Sequence, residues 1–222
     1  MAEQAWETKS KDRLRGFLKK NLKSLQVLRD RDAVEADTRT FVTDLLVEGL
    51  GFDKYEELTA EYMVRGEFAD IGIRVAKKLR AFVEIKRIST ELRELHIRQV
   101  KQYCANEGVE WAILTNGRRW NVYHISSTTP IQEHLVLDVD LLEGSTNSEI
   151  ISALASLSKE SFTKDVLASK WNAVRSLRPE NLWLAIQAPS VQTAIRAQLR
   201  KSTGQLVDTK KLTEALKGLK VE

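Results

Sequence analysis

The sequence predicts an α/β fold, in which a mixed central sheet is flanked by helices and followed by a helical C-terminal extension. Three observations predict it. Near both ends of the chain, apolar residues recur every three or four positions, which is typical of amphipathic helices. In the centre the period falls to two, as in strands. A helical segment at residues 91–108 separates two of these strands, so they can run parallel in one sheet.

The composition is that of a globular protein with its own core. The chain has 222 residues, of which 42% are hydrophobic and 30% charged, with only 3 prolines. Fibrous and disordered classes are therefore excluded. The single cysteine, Cys104, cannot form an internal disulfide, and no apolar run is long enough for a signal peptide or a membrane span. We therefore expect a cytoplasmic protein with no membrane partner.

Charge is distributed unevenly along the chain. The formal net charge is +4, but residues 1–31 and 164–222 are basic whereas residues 32–163 are acidic. A metal-binding centre between phosphate-binding flanks gives such a pattern, and so do ordinary solvated helix faces. The pattern permits a polyanionic partner without requiring one.

Two helical units are predicted at the amino terminus. Residues 5–28 carry leucine and phenylalanine at steps of three and four, opposite a basic face, and form one amphipathic helix or two. Residues 33–52 repeat the pattern, and Gly51 supplies the left-handed residue that often ends a helix.

The predicted strands occupy the centre of the chain. They are residues 69–75, 80–86, 111–115, 120–125 and 134–139. The first two form a hairpin through a turn at residues 76–79, and Asn116-Gly117 forms a second tight turn. Helical patterns resume at Asn147. We therefore predict a domain over residues 1–145 and a helical extension over residues 146–222.

Two carboxylates and a lysine meet at one end of the first predicted hairpin. Asp70 lies opposite or diagonal to Glu84 and Lys86 if the two strands pair through their turn. Glu84 and Lys86 point to one face, and Ile85 points to the other, which leaves its carbonyl at the strand edge. Two carboxylates and a carbonyl are the oxygen ligands that suit Mg²⁺.

This set of residues fits phosphodiester hydrolysis. That reaction needs a cation to polarise the phosphoryl oxygen and acidify a bound water, and a nearby group such as Lys86 to orient the nucleophile. An isolated D…ExK match is more often a surface ion-pair ladder. Here the context supports a site, because Gln99 and Tyr103 share one helix face and Glu35 opens the second helical unit.

Together with the segments at 33–52 and 113–123, these residues resemble the PD-(D/E)xK nuclease superfamily. The closest resemblance is to the N-terminal nuclease domain of the restriction subunit of type I restriction-modification enzymes, over about residues 30–140. It implies a restriction-endonuclease-like sheet and Mg²⁺ or Mn²⁺ as the cofactor. The implied roles are metal binding by Asp70 and Glu84 with support from Glu35, positioning or activation of water by Lys86, and DNA contact and ordering of the active site by Gln99 and Tyr103.

The chain departs from this family in two ways. Ala69 stands where the name of the superfamily implies proline, a substitution that family members often show. The restriction subunits also contain an ATP-driven motor, but this sequence has no G-x-x-x-x-G-K-[ST] phosphate loop. We therefore expect no ATP-driven translocation from this chain.

Basic residues outside the central set are candidates for DNA contact. Arg118 and Arg119 follow the Asn-Gly turn and could bind a backbone phosphate, although exposed arginines are common in turns. The amino-terminal helix offers a second candidate face, which could also be only solubilising: Lys9, Lys11, Arg13, Arg15, Lys19, Lys20 and Lys23.

The function predicted from these residues is that of a Mg²⁺-dependent endonuclease that hydrolyses DNA. One alternative is a catalytically weak or inactive nuclease-fold module that binds nucleic acid or partner proteins. A second is hydrolysis of RNA or a branched junction, since this chemistry does not identify the sugar. A homodimer would suit cleavage of both strands. Restriction-modification or defence subunits are the protein partners that the resemblance implies.

Overall fold

The computed structural model describes residues 4–144 and 147–218. These residues form two compact units that divide after Ser169. The predicted domain boundary, between Ser145 and Thr146, lies outside the described residues and stays a prediction. The helical segments 148–155 and 159–163, which follow that boundary, belong to the first unit.

The described part of the first unit contains one six-stranded sheet, whose strands lie side by side in chain order. The strands are β1 (Leu58–Val64), β2 (Glu67–Val75), β3 (Lys78–Ile85), β4 (Trp111–Thr115), β5 (Arg119–Ile125) and β6 (Glu133–Asp140). Neighbours pair antiparallel except β3 and β4, which pair parallel. Helix α3 makes the crossover between these two strands, as the sequence predicts. The predicted α/β fold with a mixed sheet is therefore confirmed.

Among the described residues of this unit, six helices flank or follow the sheet, and a seventh crosses the division between the units. They are α1 (Ala5–Asp30), α2 (Glu35–Asp44), α3 (Glu94–Glu107), α4 (Leu141–Gly144), α5 (Ser148–Ala155), α6 (Lys159–Thr163) and α7 (Val166–Ser176). The amino-terminal segment forms one helix, and α2 continues into a π-helical turn at Leu45–Gly49. Among the described residues, no helix is long and apolar enough to cross a bilayer.

Strand β1 is absent from the sequence prediction. Its sequence places apolar residues at every second position, from Leu58 to Val64, although Met63 interrupts the polar face. Only the terminal residues, Leu58 and Val64, are buried. It lies at the edge of the sheet, where one side of the strand has no neighbour to bury it. Glu61, at its centre, also has a positive φ of 50°.

A tight turn and a bulge together set the register of the β2–β3 hairpin. The turn is shorter than predicted, because Lys78 already belongs to β3. Its two residues, Ala76 and Lys77, have φ of 50° and 65°, and this left-handed pair matches the twist of the flanking strands. An irregularity between Ile73 and Arg74 then shifts the register by one residue, and beyond it Ile71 pairs with Val83.

Arg13 ties α1 to the end of the π-helical turn and to α6. Its guanidinium donates to the carbonyls of Gly49 at 3.1 Å and Leu50 at 2.8 Å, and to both carboxylate oxygens of Glu160 at 2.8 Å. Gly51 has φ of 83°, and a Cβ there would lie 2.5 Å from the guanidinium. Arg13 therefore stabilises the fold, which corrects its assignment to the phosphate-binding face.

We expect Arg13→Ala to lower the free energy of unfolding by about 2 kcal/mol, because it removes charged hydrogen bonds to partners that are shielded from water. The control is Arg15→Ala on the same helix. The Arg15 and Asp12 side chains are 48% and 63% exposed, and such surface pairs contribute less than about 1 kcal/mol. Urea unfolding of both variants measures the difference, and equal losses would contradict the role of Arg13.

The stabilisation by Arg13 depends on pH. Its hydrogen bonds hold the pKa of Glu160 below the usual range. A carboxylate with a depressed pKa in the folded state contributes stability above its unfolded pKa and loses it as the pH falls through the folded value. The difference between the wild type and Arg13→Ala should therefore shrink in acid.

The second unit is helical, as predicted for the C-terminal region. After the end of α7 it consists of α8 (Pro179–Gln187), α9 (Pro189–Thr203) and α10 (Thr209–Lys217). Proline begins α8 and α9, a position where its missing N–H costs nothing. The carboxylate of Asp208 accepts hydrogen bonds from two backbone amides at the start of α10.

Candidate functional site

Asp70 lies where strands β2 and β3 separate. The last paired residues of the ladder are Ile71 and Val83, so Asp70 is one position further, opposite Glu84. At this point the Asp70 carboxylate takes the place of a backbone acceptor, because its Oδ2 accepts the Ile85 N–H at 2.7 Å. The side chain is 13% exposed. The hairpin therefore holds one Asp70 oxygen in a fixed position beside β3.

Glu84 is a buried carboxylate on β3. The residue is 5% exposed, and its Oε1 accepts from Lys86 Nζ at 2.7 Å. Its Oε2 is buried and has no hydrogen-bond partner within the described part of the chain. Side chains two positions apart on a strand share a face, so Lys86 reaches Glu84 along β3 rather than across the sheet. Buried oxygens without a hydrogen-bond partner are uncommon, because they cost free energy. Such an oxygen indicates that another interaction offsets this cost.

The surroundings of Glu84 disfavour its negative charge. Burial is the largest cause and raises its pKa above the usual range, while the hydrogen bond from Lys86 lowers it. The charges of Asp70 and Glu35 add to the upward shift of the pKa. A bound cation would offset the repulsion between the buried Glu84 carboxylate and these two neighbouring acids.

Arg39 of α2 lies among three carboxylates. Its Nη2 forms a short ion pair with Asp70 Oδ1 and lies 3.9 Å from Glu35 Oε1. Its Nη1 lies 4.0 Å from Glu61 Oε1. Arg39 is absent from the residues predicted for the site, although its spacing of four residues from Glu35 on a predicted helix indicates that the two share a face. The approach to Asp70 depends on tertiary packing and has no local signal.

The arrangement offers two carboxylates to a metal ion. Among residues 4–144 and 147–218, no group of three or more His, Cys, Asp or Glu side chains is placed to hold a metal. The structure brings Asp70 and Glu84 together, whereas Glu35 lies beside Arg39. The unpaired Oε2 of Glu84 and the oxygen-only donor set fit a hard divalent cation.

Gln99 and Tyr103 of α3 contact the strand that carries Asp70. Gln99 Nε2 donates to the Tyr103 hydroxyl, and that hydroxyl donates to the Phe68 carbonyl at 3.3 Å. Tyr103 is 1% exposed, and its ring packs edge-on against Phe82 with centroids 6.2 Å apart. This relay fixes β2 two residues before Asp70, so it connects the crossover helix to the site.

We expect Tyr103→Phe to lower the free energy of unfolding by about 1 kcal/mol, since it removes the hydroxyl that connects Gln99 to the Phe68 carbonyl. Tyr55→Phe is the control, because Tyr55 is 87% exposed. Thermal unfolding of both variants gives the comparison. Unchanged stability in Tyr103→Phe would mean that the relay contributes nothing to the fold.

The site lies within a segment that matches a known family. Residues 34–136 match the type I restriction enzyme R protein N terminus (HSDR_N). This match confirms the resemblance seen in the sequence. Comparison with curated proteins and with solved structures gave no match.

The R-protein segment, residues 34–136, contains Glu35, Asp70, Glu84, Lys86 and the Gln99–Tyr103 pair. It begins one residue before α2 and ends within β6, so it spans the whole sheet except the last residues of that strand. The match indicates a nuclease-like module in a restriction-modification context.

Two predicted DNA contacts within the R-protein segment are engaged in ion pairs. Arg118 binds Asp140 at 2.6 Å and Glu143 at 3.0 Å, and Arg119 binds Asp138 at 2.5 Å. The carboxylate partners raise the pKa of both guanidinium groups. Arg118 therefore connects the turn after β4 to β6 and α4, and Arg119 connects β5 to β6. A phosphate would have to compete with these carboxylates.

The two predicted lysine contacts on α1 lie outside the R-protein segment. Lys19 is exposed. Lys20 Nζ lies 3.6 Å from Glu48 Oε2, and both side chains are more than half exposed. Such an open pair is weak, so Lys20 can exchange Glu48 for a phosphate at little cost.

Proposed function

We propose that the R-protein segment is a metal-dependent endonuclease that hydrolyses DNA phosphodiester bonds. The observation that carries the proposal is the buried Oε2 of Glu84, which has no hydrogen-bond donor in the described chain and lies on the strand beside Asp70. A buried carboxylate is costly unless it is paired or coordinates a metal. A divalent cation at this position accounts for an oxygen that the fold leaves unsatisfied.

Asp70 and Glu84 would hold Mg²⁺ or Mn²⁺, with Glu35 as a third acid close enough to affect the Glu84 pKa. When bound, the cation would supply Lewis-acid stabilisation of the phosphate and a more acidic water. The Ile85 N–H keeps Asp70 oriented throughout, because it donates to the oxygen that faces β3. The relay from Gln99 and Tyr103 holds the same strand in place.

Lys86 would position the attacking water. Its ammonium lies 2.7 Å from Glu84 Oε1, and its side chain is 22% exposed. It therefore lies at the rim of the site, where a water or a phosphate oxygen can reach it. A fixed positive charge at this point stabilises negative charge as it develops on the phosphate.

Cleavage of DNA tests the proposal. The wild type and Asp70→Ala are incubated with supercoiled and linear DNA in Mg²⁺ or Mn²⁺, beside Asp53→Ala as a control acid on an exposed loop. We expect cleavage by the wild type and the control and none by Asp70→Ala. Absence of cleavage by the wild type with either metal and either DNA would contradict the proposal.

A nuclease-fold module that binds DNA or a partner protein without cutting is the second candidate. It is favoured by the pairing of Asp70, whose two oxygens already accept from Arg39 and Ile85. DNA binding that survives Asp70→Ala, without cleavage by the wild type, would support it. Cleavage of RNA or a branched junction in place of duplex DNA would support the remaining alternative.

The assembly state belongs to the same proposal. A homodimer would place two sites on the two strands of a duplex, and restriction-modification or defence subunits are the proposed protein partners. Light scattering with and without DNA distinguishes a dimer from a monomer.

A further inference from the structure

We propose that Arg39 is an internal competitor of the metal, which occupies the cation position at Asp70 until a divalent ion displaces it. The inference rests on the proposed function and deepens it. Arg39 is the group that sets how tightly the site binds its metal.

Asp70 is fully satisfied without a metal. Arg39 Nη2 pairs with its Oδ1, and the Ile85 N–H donates to its Oδ2 at 2.7 Å. Each carboxylate oxygen has two lone pairs, so a cation can still bind Asp70, but the guanidinium already lies against Oδ1 and repels a second positive charge. A cation shared by Asp70 and Glu84 therefore competes with Arg39.

The guanidinium has other acceptors within reach. Glu35 Oε1 lies 3.9 Å from Nη2, and Glu61 Oε1 lies 4.0 Å from Nη1. Both distances exceed a hydrogen bond by about 1 Å, so a small rotation of the side chain exchanges Asp70 for either acid. Arg39 can therefore leave Asp70 without losing an anionic partner.

Asp70 is also the main contact that holds the guanidinium. Arg39 Nε is buried and has no hydrogen-bond partner in the described part of the chain. With that nitrogen unanchored, the ion pair with Asp70 fixes the position of the head group. Metal binding at Asp70 would release the guanidinium. The free energy needed to break this ion pair therefore makes the net free energy of metal binding less favourable.

Metal affinity tests the inference directly. Isothermal titration with Mn²⁺ is carried out on the wild type, Arg39→Gln, Arg39→Lys and the control Arg87→Gln. Arg87 follows Lys86, pairs with Asp32 at 2.5 Å, and carries the same charge without contacting Asp70. We expect about tenfold tighter binding in Arg39→Gln, since a neighbouring positive charge is removed at a partly exposed site. The affinity of Arg39→Lys, which retains the charge and the fold, should fall between those of the wild type and Arg39→Gln. Arg87→Gln should change the affinity by less than about twofold.

Three results would overturn the inference. Affinity in Arg39→Gln that equals or falls below the wild type would exclude competition. An equal gain in Mn²⁺ affinity in Arg87→Gln would mean that the lower net charge, and not the contact with Asp70, causes the effect. No binding to the wild type or to Arg39→Gln would reject the proposed function together with the inference. The first two results would reject the inference alone, since the wild type then still binds Mn²⁺.

Discussion

Lys86→Ala is expected to lower the rate of DNA cleavage by about 10³-fold, the middle of the range for loss of a group that positions or transfers a proton. The ammonium lies 2.7 Å from Glu84 Oε1 and reaches solvent at the rim of the site. Its loss removes the positive charge beside the reacting phosphate but leaves both carboxylates. Metal binding should therefore survive while cleavage is lost.

Single-turnover cleavage and Mn²⁺ titration on the same preparations separate these effects. Lys77→Ala is the control, because Lys77 is an exposed residue of the β2–β3 turn at the other end of the same hairpin. The control should cut like the wild type. Wild-type cleavage by Lys86→Ala would remove Lys86 from the mechanism, and loss of metal binding in that variant would assign it to assembly of the site.

Glu84→Gln is expected to abolish the stabilisation of the protein by divalent metal. A ligand present at 100 times its Kd stabilises the folded state by about 2.7 kcal/mol. The amide lacks the charge that holds the cation, so the variant should gain almost nothing from metal and should not cut DNA. Thermal unfolding with and without Mg²⁺ measures this difference. A metal-dependent rise in Tm of Glu84→Gln equal to that of the wild type would place the ion elsewhere.

The pH dependence of metal binding follows from the pKa of Glu84. Burial raises the pKa of Glu84, so its proton competes with the metal at a higher pH than for an exposed glutamate. Metal affinity of the wild type should fall as the pH is lowered through this raised pKa. Without metal, lowering the pH has the opposite effect on the stability of the fold. Because the pKa of Glu84 is raised in the folded state, the protein gains stability as the pH falls and loses it as the pH rises through the folded pKa.

The hairpin that carries the site could be predicted from the sequence because its information is local. Strand periodicity places Glu84 and Lys86 on one face, and the tight turn brings Asp70 close to them. The exact position of Asp70 opposite Glu84 also depends on the register shift between Ile73 and Arg74, which the turn does not predict. Edge strand β1 also carries a local signal, since Leu58, Ala60, Tyr62 and Val64 stand at every second position, but the sequence prediction did not include it.

The partners of the arginines could not be predicted, because they come from distant elements. Arg13 and Arg15 look alike in the sequence, yet one is bound to Glu160 and the other to Asp12 at the surface. Arg39 shares a helix face with Glu35, but its approach to Asp70 depends on how α2 packs near the sheet. Counting charges identifies a basic helix but does not show which of its Lys and Arg side chains form ion pairs.

Anomalous scattering from a crystal soaked in Mn²⁺ locates the metal itself. We expect a single strong peak within coordination distance of both Asp70 and Glu84, with the Arg39 guanidinium moved away from Asp70 toward Glu35 or Glu61. A manganese-saturated crystal with no peak between these two carboxylates, and with Asp70 still paired to Arg39, would contradict it.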